Sequence, residues 1–150
     1  VNVDYFDGAT VVQSDNFKFP GITLGSYILG RDVNIIDPRT GGFGQTFMHE
    51  YGHYRQSQRS GPLYLYKYGM SSLLTNVGFI PGTFYRGDHE RHWAEQDASR
   101  RGFDYFNQNY GVSTWNNADF PRGNIRNPTF WEFLSLAYDP IHIIRQNRRN

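Results

Sequence analysis

TFMHEYGHYRQS, residues 46–57, places His49, Glu50 and His53 in the spacing HExxH. On a helix the two histidines fall one turn apart on the same face, so both imidazoles reach one Zn²⁺ ion. Glu50 then sits beside the metal-bound water as general base. Three fixed residues recur by accident in a chain of this size at roughly the half-percent level, which makes chemistry the better reading. The neighbours agree. Phe47, Met48 and Tyr51 give the helix an apolar side away from the histidines, as expected of a packed element. Gly52 costs a helix interior about 1 kcal/mol relative to alanine and usually persists for close packing.

Working outward, the first 37 residues read as strands. VNVDYF, ATVVQS, ITLGSYILG and VNIID are short β-branched or aromatic runs separated by Gly, Asp and Pro, and they predict a small twisted sheet ahead of the motif. DPRTGG at 37–42 is a turn cluster, and the motif helix should run from near Gly44 to about Gln58, before the break SGP at 60–62. A second helix is expected over Leu63 to about Leu74, and a third from His89 to about Asn107 with Asp88 as its N-cap. Gln108 to Pro128, rich in Asn, Gly and Pro, reads as a long loop whose aromatics line a cleft or cover the core. A last short helix is expected from Thr129 to Tyr138, followed by a basic tail. The expected fold class is α+β. The arrangement is a small zincin-like domain: an N-terminal sheet, the active-site helix, and two or three further helices.

A catalytic zinc usually has three protein ligands and an open position, so a third ligand is needed downstream. Cysteine is absent, which leaves His, Glu or Asp. The richest cluster is HERHWAEQDASRRG at 89–102. At about 100° per residue, Glu95 shares a helix face with Ala98, Ser99, Gly102 and Phe106, a strip of small residues suited to lying against the motif helix. Asp97 shares a face with Arg100, Arg101 and Asp104, which reads as solvent or a salt-bridge network. A role for Asp97 in orienting a histidine fits that face less well. Glu95 is therefore the expected third ligand, with His92, one turn before it, as the rival. The oxyanion of the reaction needs a donor besides zinc, and Tyr110, Tyr138 and His142 are the candidates beyond the third helix.

These four residues, His49, Glu50, His53 and Glu95, resemble the gluzincin branch of the zinc metallopeptidases. The branch commonly carries an acidic residue four positions after its glutamate, where Ser99 stands here. The longer metzincin pattern HExxHxxGxxH is excluded, because Gln56 and Ser57 follow without its glycine and third histidine. MHEYGHYRQSQRSGPLYLYKYGMSSLL and the later EQDASRRGFDYF also resemble C-terminal domains of Rhs-repeat and related polymorphic-toxin proteins of Bacteroides-type bacteria, over roughly residues 20–110. The resemblance implies a secreted or delivered effector domain. It would act on a peptide or protein substrate and have a parent protein or a cognate inhibitor as partner.

At 150 residues and 17.5 kDa the chain fits one domain with its own core, here expected to be excised from a longer protein, since VNVDYFDG carries no leader. A formal charge of +1 predicts no nucleic-acid partner. The apolar stretch Leu63–Tyr85 is broken by Lys67, Ser71, Ser72, Thr75, Asn76 and Pro81, so no membrane span is expected. Without cysteine there are no disulfides and no thiolate zinc site. The expected function is zinc-dependent peptide-bond hydrolysis: His49, His53 and Glu95 hold the ion and Glu50 moves the proton. The alternative is a non-catalytic module whose Arg- and Tyr-rich surface binds nucleic acid or glycan, with a structural or degenerate metal site. A zinc nuclease is disfavoured by the absence of a phosphate-cradling glycine loop. Lys18 and Lys67 are the only lysines, so arginine carries nearly all the positive charge. The simplest reading of that bias is an aromatic core with arginines stacked along its rim.

Overall fold

The computed structural model describes residues 1–61 and 93–123. Their elements are β1 (Asn2–Phe6), β2 (Ala9–Gln13), β3 (Ile22–Leu24), β4 (Tyr27–Gly30), α1 (Gln45–Ser60) and α2 (Trp93–Tyr110). The class is α+β, with one four-stranded mixed sheet and two helices. Strand order is β1-β2-β4-β3, with β1 antiparallel to β2, β2 parallel to β4, and β3 antiparallel to β4.

Two of the expected strand runs come out differently. ITLGSYILG is two strands, because Gly25 takes φ +62° and turns the chain in a two-residue loop between Leu24 and Tyr27, which pair with each other. VNIID is not a strand. It contributes one bridge, Ile36 to Phe43, flanked by bonds from the Asp37 amide to the Gly42 carbonyl and from the Gly44 amide to the Ile35 carbonyl. The DPRTGG turn inside this bridge consumes the chain before a ladder can grow. Asp37 accepts the Arg39 amide hydrogen at 2.9 Å, which holds its carboxyl below the usual range.

Helix α1 starts and ends close to its expected limits. Helix α2 runs on to Tyr110, so Gln108–Tyr110 is helical and not loop. It stops where the Gly111 amide bonds back to the Asn107 carbonyl. Residues 111–123 form the expected loop. The expected helices at Leu63–Leu74 and Thr129–Tyr138, and the Asp88 cap, lie outside the described residues.

The motif helix is enclosed. Every residue from Phe47 to Tyr54 is buried, which an amphipathic surface helix would not allow. Phe47, Tyr51 and Tyr54 join Ala9, Val11 and Ile28 of the sheet and Phe106 of α2 in one core. Phe6 stands edge-on to Phe47 and Tyr51 and stacks on Phe106 at 5.5 Å, so the first hairpin is tied to both helices. Its turn is fastened again by Asp7, whose carboxylate accepts hydrogen bonds from the hydroxyls of Tyr51 and Tyr105. Burial above all, with Asp7 nearby, pushes the Tyr51 hydroxyl up to about 12 and raises Tyr105 as well, so both remain donors at any physiological pH. Arginines do stack on the aromatic rim, Arg55 over Tyr105 at 5.1 Å and Arg122 over Phe103 at 3.8 Å.

On its other side α1 lies directly on α2. A Cβ on Gly52 would come within 1.9 Å of the Ala98 carbonyl oxygen, and one on Gly102 within 2.2 Å of the Met48 carbonyl oxygen. Only hydrogen fits at this backbone-to-backbone crossing. Gly52→Ala should therefore destabilise the fold by about 1–3 kcal/mol through overpacking, despite alanine's better helix propensity of about 1 kcal/mol. Denaturant unfolding measures the balance, and a variant as stable as the parent would contradict this packing.

Candidate metal centre

The close crossing brings the carboxylate of Glu95 on α2 against both imidazoles of α1. Glu95 Oε2 lies 3.2 Å from His49 Nε2 and 3.0 Å from His53 Nε2. The potential ligand atoms of the three residues all fall within 4.8 Å of one another, and all three side chains are buried. Two imidazole nitrogens and one carboxylate oxygen form a donor set that suits zinc. Three protein ligands are the number found where one coordination position stays open. The residues present thus fit a divalent ion, and they are the only such group among the described residues.

Both rings are held from behind. His49 Nδ1 is 3.0 Å from the Ser99 hydroxyl, and His53 Nδ1 is 2.9 Å from Gln56 Oε1. Ser99 thus meets the first histidine with a neutral hydroxyl. Gln56 is fully buried and donates through Nε2 to the Ala94 carbonyl and to Asp97 Oδ2, each at 2.9 Å. Asp97 corrects its expected solvent-facing position: it is only 2% exposed. Its salt-bridge network does form, with Arg100 and with Arg101 at 2.6 Å. Burial works to raise its pKa, but the bonds from Arg101 and Gln56 and the two guanidinium charges hold the carboxyl below its usual range.

Glu50 meets the sheet edge. Its carboxylate Oε2 and its own carbonyl both lie 2.8 Å from the Thr23 hydroxyl on β3. The Gly21 backbone packs on the Glu50 side chain so closely that a Cβ there would meet Glu50 Cγ at 2.8 Å. Glu50 is buried yet close enough to His53 to help hold a proton on it. Phe120 roofs the site from the loop after α2, its ring 4.8 Å from that of His49 and inclined by 34°. Trp115 steadies this roof by donating its indole N–H to the Phe120 carbonyl at 2.7 Å.

Of the other residues singled out in the sequence, Tyr110 lies about 22 Å further along α2 than Glu95, at about 1.5 Å per residue. Its ring packs on Phe43 and Phe6 and cannot donate to anything held at the imidazoles. His92, Tyr138 and His142 lie outside the described residues. Sequence reasoning passed over Gln56, Thr23 and Phe120. For Gln56 a signal existed, since it falls three residues after His53 on the same helix face; for the other two there was none. No protein-family model matches the chain, and neither a curated protein nor a solved structure matches it.

Without a metal, the buried trio must carry its own charge balance. Burial pulls the His53 pKa down, but the Glu95 carboxylate, with help from Glu50 and Gln56, outweighs it and lifts the imidazole from 6.5 to about 9. Burial likewise pushes Glu95 up, and the two histidines overcome it, holding the carboxyl well below 4.5. The His53 contribution to stability is complete below about pH 6.5 and is lost as pH rises through about 9. That of Glu95 is present above about pH 4.5 and is lost as pH falls through its lowered value. Protein stripped by a chelator should accordingly gain most from this trio between about pH 4.5 and 6.5 and melt lower toward pH 9. Zinc held by the trio would compete with the His53 proton and should stabilise more strongly over that same rise. Melting curves with chelator and with zinc across the interval check both signs; identical pH profiles would refute the linkage.

Proposed function

We propose that this domain is a zinc-dependent metallopeptidase, with a zincin-like arrangement and a gluzincin-type ligand set of His49, His53 and Glu95. The observation that carries the reading is the convergence of these three buried side chains to within 4.8 Å, from two helices that meet backbone to backbone. Zinc held there would lower the pKa of water toward ~7 and polarise a scissile carbonyl. Glu50 is the general base: it accepts the proton of the attacking water and passes it to the leaving amine. Thr23 orients the Glu50 carboxylate by donating its hydroxyl hydrogen to it. An amide substrate fits the surroundings. Among the described residues β3 is an edge strand, paired only with β4, and it carries Thr23 beside Glu50. An extended peptide can add to such an edge through its backbone.

The binding-module alternative finds less support. Arg55 and Arg122 are spent on aromatic rings and Arg100 and Arg101 on Asp97, so these four do not form a free basic groove. No helix among the described residues is long and apolar enough to cross a membrane. The sequence resemblance to polymorphic-toxin C-terminal domains supports a further step: the substrate is a protein met after secretion or delivery, and a cognate inhibitor is the natural partner.

Three variants test the proposal. Glu50→Gln should keep near-stoichiometric zinc by elemental analysis and lose about 10²–10⁴-fold in hydrolysis of an unfolded protein substrate. Glu95→Ala should lose the zinc, while His92→Ala keeps it. Peptide cleavage that survives in Glu50→Gln, or the absence of bound zinc from the wild type after zinc addition, would defeat the reading.

A further inference from the structure

We propose that Gln56 is a positioning residue for the metal centre: its amide dictates that His53 carries its hydrogen on Nδ1, which reserves Nε2 for the metal. The inference rests on the metal-centre reading above. It follows from counting donors and acceptors around a fully buried amide. One end of Gln56 faces two groups at 2.9 Å, the Ala94 carbonyl and Asp97 Oδ2. The carbonyl has no hydrogen to give, and the Asp97 carboxylate is gripped by Arg100 and Arg101, so both groups accept. Only the NH₂ end of an amide can serve two acceptors. The opposite orientation would press oxygen against two oxygens in a buried site. The oxygen end must then face His53 Nδ1 at 2.9 Å, and an amide oxygen only accepts. Nδ1 is therefore the donor.

The same amide fixes position as well as tautomer. Ala94 and Asp97 flank Glu95 on the first turns of α2, so Gln56 ties the His53 ring to the very turn that carries the third ligand. His49 has no equivalent constraint, because the Ser99 hydroxyl behind it can donate or accept. His53 is thus the pre-set ligand of the pair. Partners of this kind behind a ligating histidine typically change metal affinity by about 10–100-fold when removed.

Nitrogen-15 NMR of histidine-labelled protein, combined with zinc affinity measured against a competing chelator, tests the assignment. In the wild type, zinc should shift the His53 Nε2 resonance and leave an exchange-protected Hδ1 in place. Gln56→Met, close in size but without the amide oxygen, should lose that protected proton and bind zinc about 10–100-fold more weakly, with its far-UV circular dichroism unchanged. Unchanged affinity in a folded Gln56→Met, or zinc on Nδ1 in the wild type, would overturn the role of Gln56; the second result needs no variant to fold. Zinc retained by Glu95→Ala, or absent from the wild type, would overturn the metal-centre reading itself and with it the purpose assigned to Gln56.

Discussion

The two glycines at the crossing of α1 and α2 are the constraint on which the site depends. Gly52 and Gly102 let the helix backbones touch, Gly52 against the Ala98 carbonyl and Gly102 against that of Met48. A glutamate side chain is short. Only at this separation does Glu95 Oε2 reach 3.0–3.2 Å from both imidazoles, while Gln56 crosses to Ala94 and Asp97 on the facing helix. Glycine in a helix interior costs roughly 1 kcal/mol each, so the fold accepts a local penalty for an approach that no side chain permits.

Around that crossing, α1 divides its circumference among three tasks. Phe47, Tyr51 and Tyr54 join the core beneath the sheet, Gly52 and Met48 meet α2, and His49 and His53 face Glu95. Glu50 meets the β3 edge, and Thr23 holds it there. The two acids are thus set apart, Glu95 with the histidines and Glu50 with the sheet edge, as the proposed hydrolysis would require. Burial makes this division costly without a cation. The pairing of raised His53 with lowered Glu95 lets the buried groups balance each other's charge.

Much of this was legible because helical periodicity is local. His49 and His53 share a face by spacing alone, and Glu95, Ala98, Ser99 and Gly102 form a narrow strip that announces a close neighbour. The strand-rich start was legible too, from β-branched runs between turn residues. What failed was local competition that composition does not weigh: Gly25 split one run into a hairpin, and the turn after Asp37 stopped VNIID at a single bridge. For Asp97 the expectation was solvent or a salt-bridge network; the network forms, and it forms buried. Its face was charged, as a solvated face would be, but the two arginines and Gln56 neutralise it in place, and paired charge can be buried where lone charge cannot.

The sequence by itself determined the candidate ligand types, and through the repeat of a single helix the one-turn spacing of the histidines and the small-residue strip beside Glu95. Tertiary structure alone decided that Thr23 would hold Glu50, that Phe120 would roof His49 and that Gln56 would meet Asp97. Those contacts join residues 27, 71 and 41 positions apart. No helical or strand period links such positions; only the packing of the sheet edge, the loop and the second helix onto α1 brings them within reach.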